Sequence, residues 1–284
     1  MSIVWPLLVM SLSVPDTIVV TGKRESDRRS TIAEVVKSVA PPAVDGQWGG
    51  WRAPICVGVS GATREATQPI MTTIEAVASE AGMRVAKRPC RTNVSVALTR
   101  DAGKLVTSIV RKNRNALAQA SARERQDLLA GDAPVRWWYL YRTLGSDGRP
   151  LLGEAAAIGA NASPTDGIAL PARVGSSYHA TGIGTKISVE LEHVVVVIDA
   201  RRAEGYALDA VAAYVARVAL APTRFRPMPS PEPGVLELFA VNGERPAGLS
   251  SFDRAYLRAY ARLPCERAVG AQRGRLITML LATE

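Results

Sequence analysis

The sequence predicts a fold of the α/β or α+β class, in which helices pack on a mixed β-sheet. Residues 194–198 form an unbroken run of β-branched side chains, which is typical of a strand covered on both faces. After a polar turn, apolar residues recur at helical spacing from Leu208 to Ala219, until Pro222 ends the pattern. Strand and helix signals also alternate from Pro54 onward. We therefore expect a single main domain with C-terminal helical closure.

The length of 284 residues is sufficient for a proper hydrophobic core. Four segments are expected: a signal-like segment at 1–15, an N-terminal arm and loop at 16–53, a main α/β domain at 54–222, and a proline-rich connector with a helical segment at 223–284. Charged residues make up 21% and hydrophobic residues 47%, which argues against general disorder and against an integral membrane protein. The formal charge of +9 favours anionic partners. Because the basic residues are scattered, a solvated basic surface is the alternative.

The amino terminus bears on cellular location. Residues 3–14 form an apolar run of the length found in signal-peptide cores, and Ser-Leu-Ser at 11–13 offers small residues for cleavage. The run is too short to span a bilayer, and no other stretch reaches the roughly 20 apolar residues that a span needs. No Lys or Arg precedes it, so an upstream start or an apolar first element are alternatives. We expect a periplasmic or secreted protein, with a cytoplasmic location as the alternative.

Three cysteines, Cys56, Cys90 and Cys265, are compatible with export. Cys56 lies just before a predicted helix and Cys90 just before a predicted strand, so a helix-turn-strand path can bring them together. We predict a Cys56–Cys90 disulfide that leaves Cys265 unpaired. The alternative is three buried thiols in a cytosolic protein.

The first hundred residues contain clear element signals. Residues 16–22 read as a short strand that ends before the charged cluster at 23–29, and residues 31–39 as a short helix. Prolines and glycines at 41–50 then predict an irregular connection. A helix is expected at about 64–81, with a Gly cap, and an alternating strand at 94–98.

The next stretch combines capping signals with aromatic residues. Asp101 is placed to cap one helix, and the capping-box spacing at 121–124 opens another. Residues 136–142 alternate as a strand, and the Asp-Gly pair at 147–148 predicts a hairpin that returns along 151–157. A long loop at 160–184 and a strand at 186–191 follow. The tail predicts a strand at 235–239 and two closing helices, one entered at Ser250 or Ser251.

The aromatic strand also supplies a candidate binding surface, made of Arg136, Trp137 and Trp138 together with His179 of the following loop. Aromatic side chains beside Arg can stack on single-stranded bases. Large aromatics on a hairpin more often cover a hydrophobic core, which is the alternative interpretation.

Reactive chemistry is sparse in this sequence. The two histidines, His179 and His193, form no HExxH motif, and no CxxC pair is present, so we expect no metal ligand and no cofactor. Ser177 and His179 place a hydroxyl near an imidazole, but without a nucleophile elbow. The Gly-containing turn at 58–63 precedes a helix as an anion site would, but it lacks the Lys of a P-loop. We therefore predict no catalytic residue.

Several short sequence motifs are spread over nearly the whole chain. The motifs are Asp-Thr-Ile-Val-Val-Thr-Gly at 16–22, Pro-Ile-Cys at 54–56, Cys90 ahead of 93–96, Pro-Val-Arg-Trp-Trp at 134–138, the strand at 195–200 with the helix at 213–216, and Phe-Asp-Arg-Ala-Tyr-Leu at 252–257. Together they resemble a family of exported bacterial proteins of unknown function. The resemblance implies export and a Cys56–Cys90 bond, but no chemistry.

A fainter similarity is to zinc-peptidase-like domains, in which a strand leads into a helix that carries the metal ligands. The corresponding helix here reads Ala-Ala-Tyr-Val-Ala-Arg at 212–217, without His or Glu. This similarity implies a shared fold from which the metal chemistry has been lost.

From these observations we expect an exported, envelope-associated binding protein without catalysis. Its partner would be an envelope protein, bound through the basic surface or through the loop at 160–184. The alternatives are a hydrolase of unrecognised type that uses Ser177 and His179, and single-stranded nucleic-acid binding by Arg136, Trp137 and Trp138, the less favoured partner class.

Overall fold

The computed structural model describes residues 25–145, 148–150, 187–226, 230–232, 234–240 and 245–283. Within these ranges the chain forms seven α-helices and four β-strands around one core. In chain order they are α1 (Glu25–Val39), β1 (Val57–Ser60), α2 (Arg64–Glu80), β2 (Val94–Thr99), α3 (Ala102–Lys112), α4 (Ala122–Ala130), β3 (Val135–Leu144), β4 (Ser188–Asp199), α5 (Leu208–Leu220), α6 (Ser251–Ala261) and α7 (Val269–Leu281). The predicted fold class is confirmed.

The sheet is mixed, with the strand order β1-β2-β4-β3. β1, β2 and β4 are parallel, and Val94 of β2 lies opposite Val194 of β4. β3 pairs with β4 in the antiparallel sense. The β-branched run at 194–198 thus lies in an inner strand, where four of its five side chains are buried.

Helix α5 is buried along nearly its whole length. It packs against α2, and its small residues Ala212, Ala216 and Ala219 are fully buried. The hydroxyl of Tyr139 in β3 donates a hydrogen bond of 2.7 Å to the carbonyl of Val218 in α5. Small side chains therefore let the backbone of this helix approach both the sheet and a second helix.

The two faces of β3 have different neighbours, because successive side chains of a strand point in opposite directions. Trp137 lies on the α5 side, where its ring packs against Tyr214 and Phe225. Trp138 lies on the other side, together with Ile109 of α3 and Val195 of β4. This second face carries the candidate site.

An irregularity occurs about midway along the β3–β4 pair. Leu140 lies opposite His193, but Tyr141 lies opposite Leu191, so Glu192 is an extra residue in β4. This is the geometry of a β-bulge, which bends a strand and redirects its side chains. The outer edge of β3 is closed at the same point, where Tyr141 N donates to Gln119 Oε1 (2.8 Å) and Gln119 Nε2 donates to Tyr141 O (3.1 Å).

Several local predictions are confirmed. Lys104 N donates to the Asp101 side chain at the start of α3, and Ser121 forms a capping box at the start of α4. The entry to α6 is a second capping box, formed by Ser250 and Asp253.

Two local predictions were wrong. The segment expected as a strand at 235–239 contains a 3₁₀ turn at Val235–Glu237, because Val235 N donates to Asp253 Oδ2 (2.8 Å) instead of to a sheet. The first helix, expected at 31–39, begins at Glu25. Acidic residues in its first turn stabilise this earlier start, because they interact favourably with the positive end of the helix dipole. The strand at 16–22, the return strand at 151–157 and the loop at 160–184 lie outside the described residues.

The cysteines behave as predicted. Cys56 and Cys90 form a disulfide, with their Cα atoms 6.1 Å apart, and Cys265 is free and buried. Among the described helices, none has both the length and the apolar content that a membrane span requires.

Candidate functional site

A cavity of about 580 Å³ opens on the sheet face that carries Trp138, and we refer to it as the sheet-face cleft. Its walls come from β3, β4, the end of α3 and the segments that lead into β1 and β2. Its lining residues include Cys56, Cys90, Asn93, Trp138, Arg142, Glu190, Glu192 and His193. A cavity of this size lies within the range of small-ligand sites.

The disulfide and Asn93 build one wall of the cleft. Asn93 Nδ2 donates to Pro54 O (3.0 Å), and Asn93 Oδ1 accepts from Cys56 N (2.8 Å). The Cys56–Cys90 bond ties the same segment to the chain ahead of β2. Two independent cross-links thus fix this wall before any ligand is bound.

Neighbouring strands place a serine and a histidine in contact. Ser95 in β2 lies opposite Val195 in β4, so His193 is its diagonal neighbour on the same face. Ser95 Oγ and His193 Nε2 are 2.9 Å apart, which is a hydrogen bond. Burial, and to a lesser extent the charge of Arg91, lower the pKa of His193, so the imidazole is neutral at pH 7.

A charged group lies beside the histidine. Arg142 Nη2 is 3.2 Å from Glu190 Oε2, and Arg142 Nη1 is 3.8 Å from Glu192 Oε1. The bulge at Glu192 allows both carboxylates to approach one guanidinium. Arg91 also lines the cleft, so two cations face two carboxylates and the charges of the lining balance.

Three buried polar atoms of cleft residues have no hydrogen-bond partner within the described parts of the chain. They are the indole nitrogen Nε1 of Trp138, Nε of Arg142 and Oε2 of Glu192. A buried donor or acceptor left unpaired costs about 1–3 kcal/mol. Residues that line one cavity thus carry two unpaired donors and one unpaired acceptor.

The residues of the predicted binding surface do not come together at the protein surface. Arg136, Trp137 and Trp138 are only 3%, 3% and 4% exposed. Arg136 Nη2 donates to Gly131 O, and Trp137 Nε1 donates to Thr223 O (3.0 Å). Their rings and guanidinium are therefore not presented to solvent for stacking on bases, and of the three only Trp138 lines the cleft. His179 and Ser177 lie outside the described residues.

The sequence interpretation did not identify Ser95, Arg142, Glu192 or His193 as site residues. The alternation of side chains along a strand would have assigned His193 and Trp138 each to one face of its own strand. It could not show that those faces coincide, because the pairing of the strands and its register are long-range features.

The described residues contain no group of three His, Cys, Asp or Glu side chains placed to hold a metal ion. Comparison of the chain with protein-family models, with curated proteins and with solved structures found no match. The resemblances to exported bacterial proteins and to zinc-peptidase-like domains therefore stay predictions.

Proposed function

We propose that this protein is an exported, envelope-associated binding protein that holds a polar segment of a protein partner in the sheet-face cleft. The observation that carries the proposal is the set of three unpaired atoms on Trp138, Arg142 and Glu192. Export is supported by the Cys56–Cys90 disulfide, because such bonds persist in oxidising compartments.

The chemistry of the unpaired atoms indicates the kind of group that fits. Trp138 Nε1 and Arg142 Nε are donors, so they need an acceptor oxygen, whereas Glu192 Oε2 needs a donor. A polypeptide segment offers both kinds of group at short spacing. An exposed loop or terminus of an envelope protein meets this requirement.

The decisive experiment uses Trp138→Phe, which removes one N–H and keeps an aromatic ring. Because the N–H is unpaired in the free protein, we expect the free energy of unfolding to fall by less than it does in a matched Trp48→Phe variant. Trp48 Nε1 donates to Pro41 O (3.2 Å), so its removal also leaves an acceptor unpaired. For partner binding we expect the reverse order, with a loss of about tenfold in Trp138→Phe and none in Trp48→Phe.

Partners are sought by retention from envelope extracts at low salt, with quantitative mass spectrometry. The proposal requires a protein that the wild type retains and Trp138→Phe retains less, followed by a binding titration with that purified protein. Equal retention by the wild type and by both variants would contradict it.

Localisation is tested separately by cell fractionation and thiol counting. We expect the protein in the envelope fraction with one alkylatable thiol under denaturing, non-reducing conditions. Cytoplasmic protein with three free thiols would contradict export.

A second candidate function, hydrolysis, is favoured by the 2.9 Å contact between Ser95 and His193. Ser95 lies in an inner strand that pairs on both sides, so its backbone N–H is not free to stabilise an oxyanion. No described carboxylate bonds the second nitrogen of His193, and a triad needs such an orienting group. Labelling of Ser95 by a fluorophosphonate, lost in His193→Gln, would support hydrolysis, whereas an unlabelled protein would remove this candidate.

A further inference from the structure

A second cavity, of about 530 Å³, lies on the opposite side of the sheet. It is bounded by α5, the end of α1, the segment around the 3₁₀ turn and the start of α6. Aromatic side chains form much of its wall, namely those of Trp137, Tyr214, Phe225, Phe239 and Phe252. The rings contact one another edge to face, with centroids 4.9 Å apart for Trp137 and Phe225 and 5.0 Å apart for Tyr214 and Phe239. We refer to it as the aromatic cavity.

One fully buried cation belongs to the wall of the aromatic cavity. Arg217 of α5 is 1% exposed, and its guanidinium lies 4.1 Å from the centre of the Tyr256 ring. Arg217 Nη1 donates to Thr223 Oγ1 (3.0 Å) and to Ala221 O (3.4 Å). Nε of the same side chain is buried and has no hydrogen-bond partner among the described residues. Nε of this cation thus lacks a hydrogen-bond acceptor and keeps an ion pair with Asp253.

The nearest carboxylate cannot satisfy this donor without giving up other bonds. Asp253 Oδ1 is 3.6 Å from Arg217 Nε, which is an ion pair but too long for a hydrogen bond. Asp253 Oδ2 accepts from Val235 N (2.8 Å), Ser250 N (3.0 Å) and Ser250 Oγ (3.0 Å). These bonds form the cap of α6 and hold the 3₁₀ turn, so the carboxylate is fixed in place.

The charges around the aromatic cavity indicate whether the acceptor atom of a ligand is neutral or anionic. Its acidic lining residues outnumber its basic ones: Asp132, Glu232, Glu237 and Asp253 against Arg217 and Arg226. Arg226 is itself paired with Asp132 (2.9 Å). An incoming anion would therefore meet an excess of negative charge, whereas a neutral oxygen would not.

We propose that the aromatic cavity is a second ligand site, which binds a neutral, largely apolar molecule that presents a carbonyl-type oxygen to Arg217 Nε. The aromatic wall takes the apolar body, and the unpaired N–H fixes its orientation. The site is independent of the sheet-face cleft, because the two cavities lie on opposite faces of the sheet. The volume is sufficient for a two-ring molecule.

The test uses three probes of similar shape in ligand-observed NMR titrations of the full chain. Benzophenone has a neutral acceptor, 1,1-diphenylethylene replaces that oxygen with a methylene group, and diphenylacetate carries an anion. We expect benzophenone to bind about tenfold more tightly than 1,1-diphenylethylene, as for a hydrogen bond to a charged donor, and diphenylacetate to bind least. Equal affinity of the first two probes, tighter binding of the anion, or no binding of benzophenone would each overturn the proposal.

Two variants locate the binding without removing Arg217, whose loss would disturb folding. Leu236 lines the aromatic cavity and is only half-buried, so Leu236→Trp fills the space and is expected to abolish benzophenone binding. Trp138 does not line the aromatic cavity, so Trp138→Phe is expected to leave that affinity unchanged. Benzophenone binding that survives Leu236→Trp, or that is lost in Trp138→Phe, would place the ligand elsewhere and refute the assignment.

Discussion

Opening the Cys56–Cys90 disulfide is expected to destabilise the protein by about 3–4 kcal/mol. The two cysteines are 34 residues apart in the sequence. In the chain-entropy model, a closed loop of that length removes about 13 cal/mol/K from the unfolded ensemble, which gives that free energy at 25 °C. In a protein of this size, 1 kcal/mol corresponds to about 2–4 °C, so we expect Tm to fall by about 10 °C.

The measurement is urea unfolding of the wild type, of the reduced wild type and of a Cys56→Ala/Cys90→Ala variant. Reduction should lower the free energy of unfolding of the wild type and leave that of the double variant unchanged. Cys265→Ala is the control, because its thiol is buried and unpaired and its removal leaves the disulfide intact. If reduced and oxidised wild type unfold at the same urea concentration with the same slope, the loop-closure argument is wrong.

Four further substitutions test other parts of the fold, each by urea unfolding. Arg217→Met leaves a buried carboxylate without its cation and is expected to cost about 3–5 kcal/mol; a loss below 1 kcal/mol would show that the pair is not effectively buried. Asn93→Ala removes both hydrogen bonds of the cleft wall, and we expect a loss of about 2–3 kcal/mol, contradicted by an unchanged midpoint. Gly61→Ala would place a Cβ 2.0 Å from Leu98 O at a φ of +89°, so a loss of at least about 2 kcal/mol is expected. The lowered pKa of His193 means that the unfolded chain binds more protons below its ordinary value of about 6.5, so stability should fall with pH below that point in the wild type and less in His193→Gln.

Matched control variants separate these specific effects from general destabilisation of the fold. Gly82 has a φ of +80°, but a Cβ there meets nothing within 4 Å, so Gly82→Ala should cost less than Gly61→Ala. Equal losses at the two glycines would show that backbone strain alone determines the cost. Identical pH profiles for the wild type and His193→Gln would refute the assignment to that imidazole.

Local patterns predicted much of this fold because they depend on neighbours in the sequence. The β-branched run at 194–198 marked an inner strand, the small residues of α5 indicated close packing, and Ser121 and Ser250 marked helix starts. The Cys56–Cys90 pairing was predicted correctly, although Cys56 precedes β1 and not a helix. The prediction of a strand at 235–239 was wrong because Asp253, distant in sequence, accepts a hydrogen bond from the backbone of this segment.

The candidate site could not be predicted in the same way. Trp138 lay in a predicted strand, whereas His193 lay between two predicted strands that are the single strand β4, and their meeting depends on the pairing of β3 with β4. Whether a buried polar atom such as Arg142 Nε has a partner depends on tertiary packing, which no local pattern encodes. The sequence therefore indicated the aromatic motif as the candidate binding surface, although most of that motif belongs to the core.

The contact between Gln119 and Tyr141 also bears on self-association. A carboxamide offers the same donor and acceptor as a main-chain amide, so this side chain takes the place of one residue of an additional strand. An outer strand with bare amides is a template on which foreign chains can add and aggregate. The backbone N–H and C=O of Tyr141 are already bonded to Gln119 of the same chain. A second chain would therefore have to displace Gln119 before it could extend the sheet at this point.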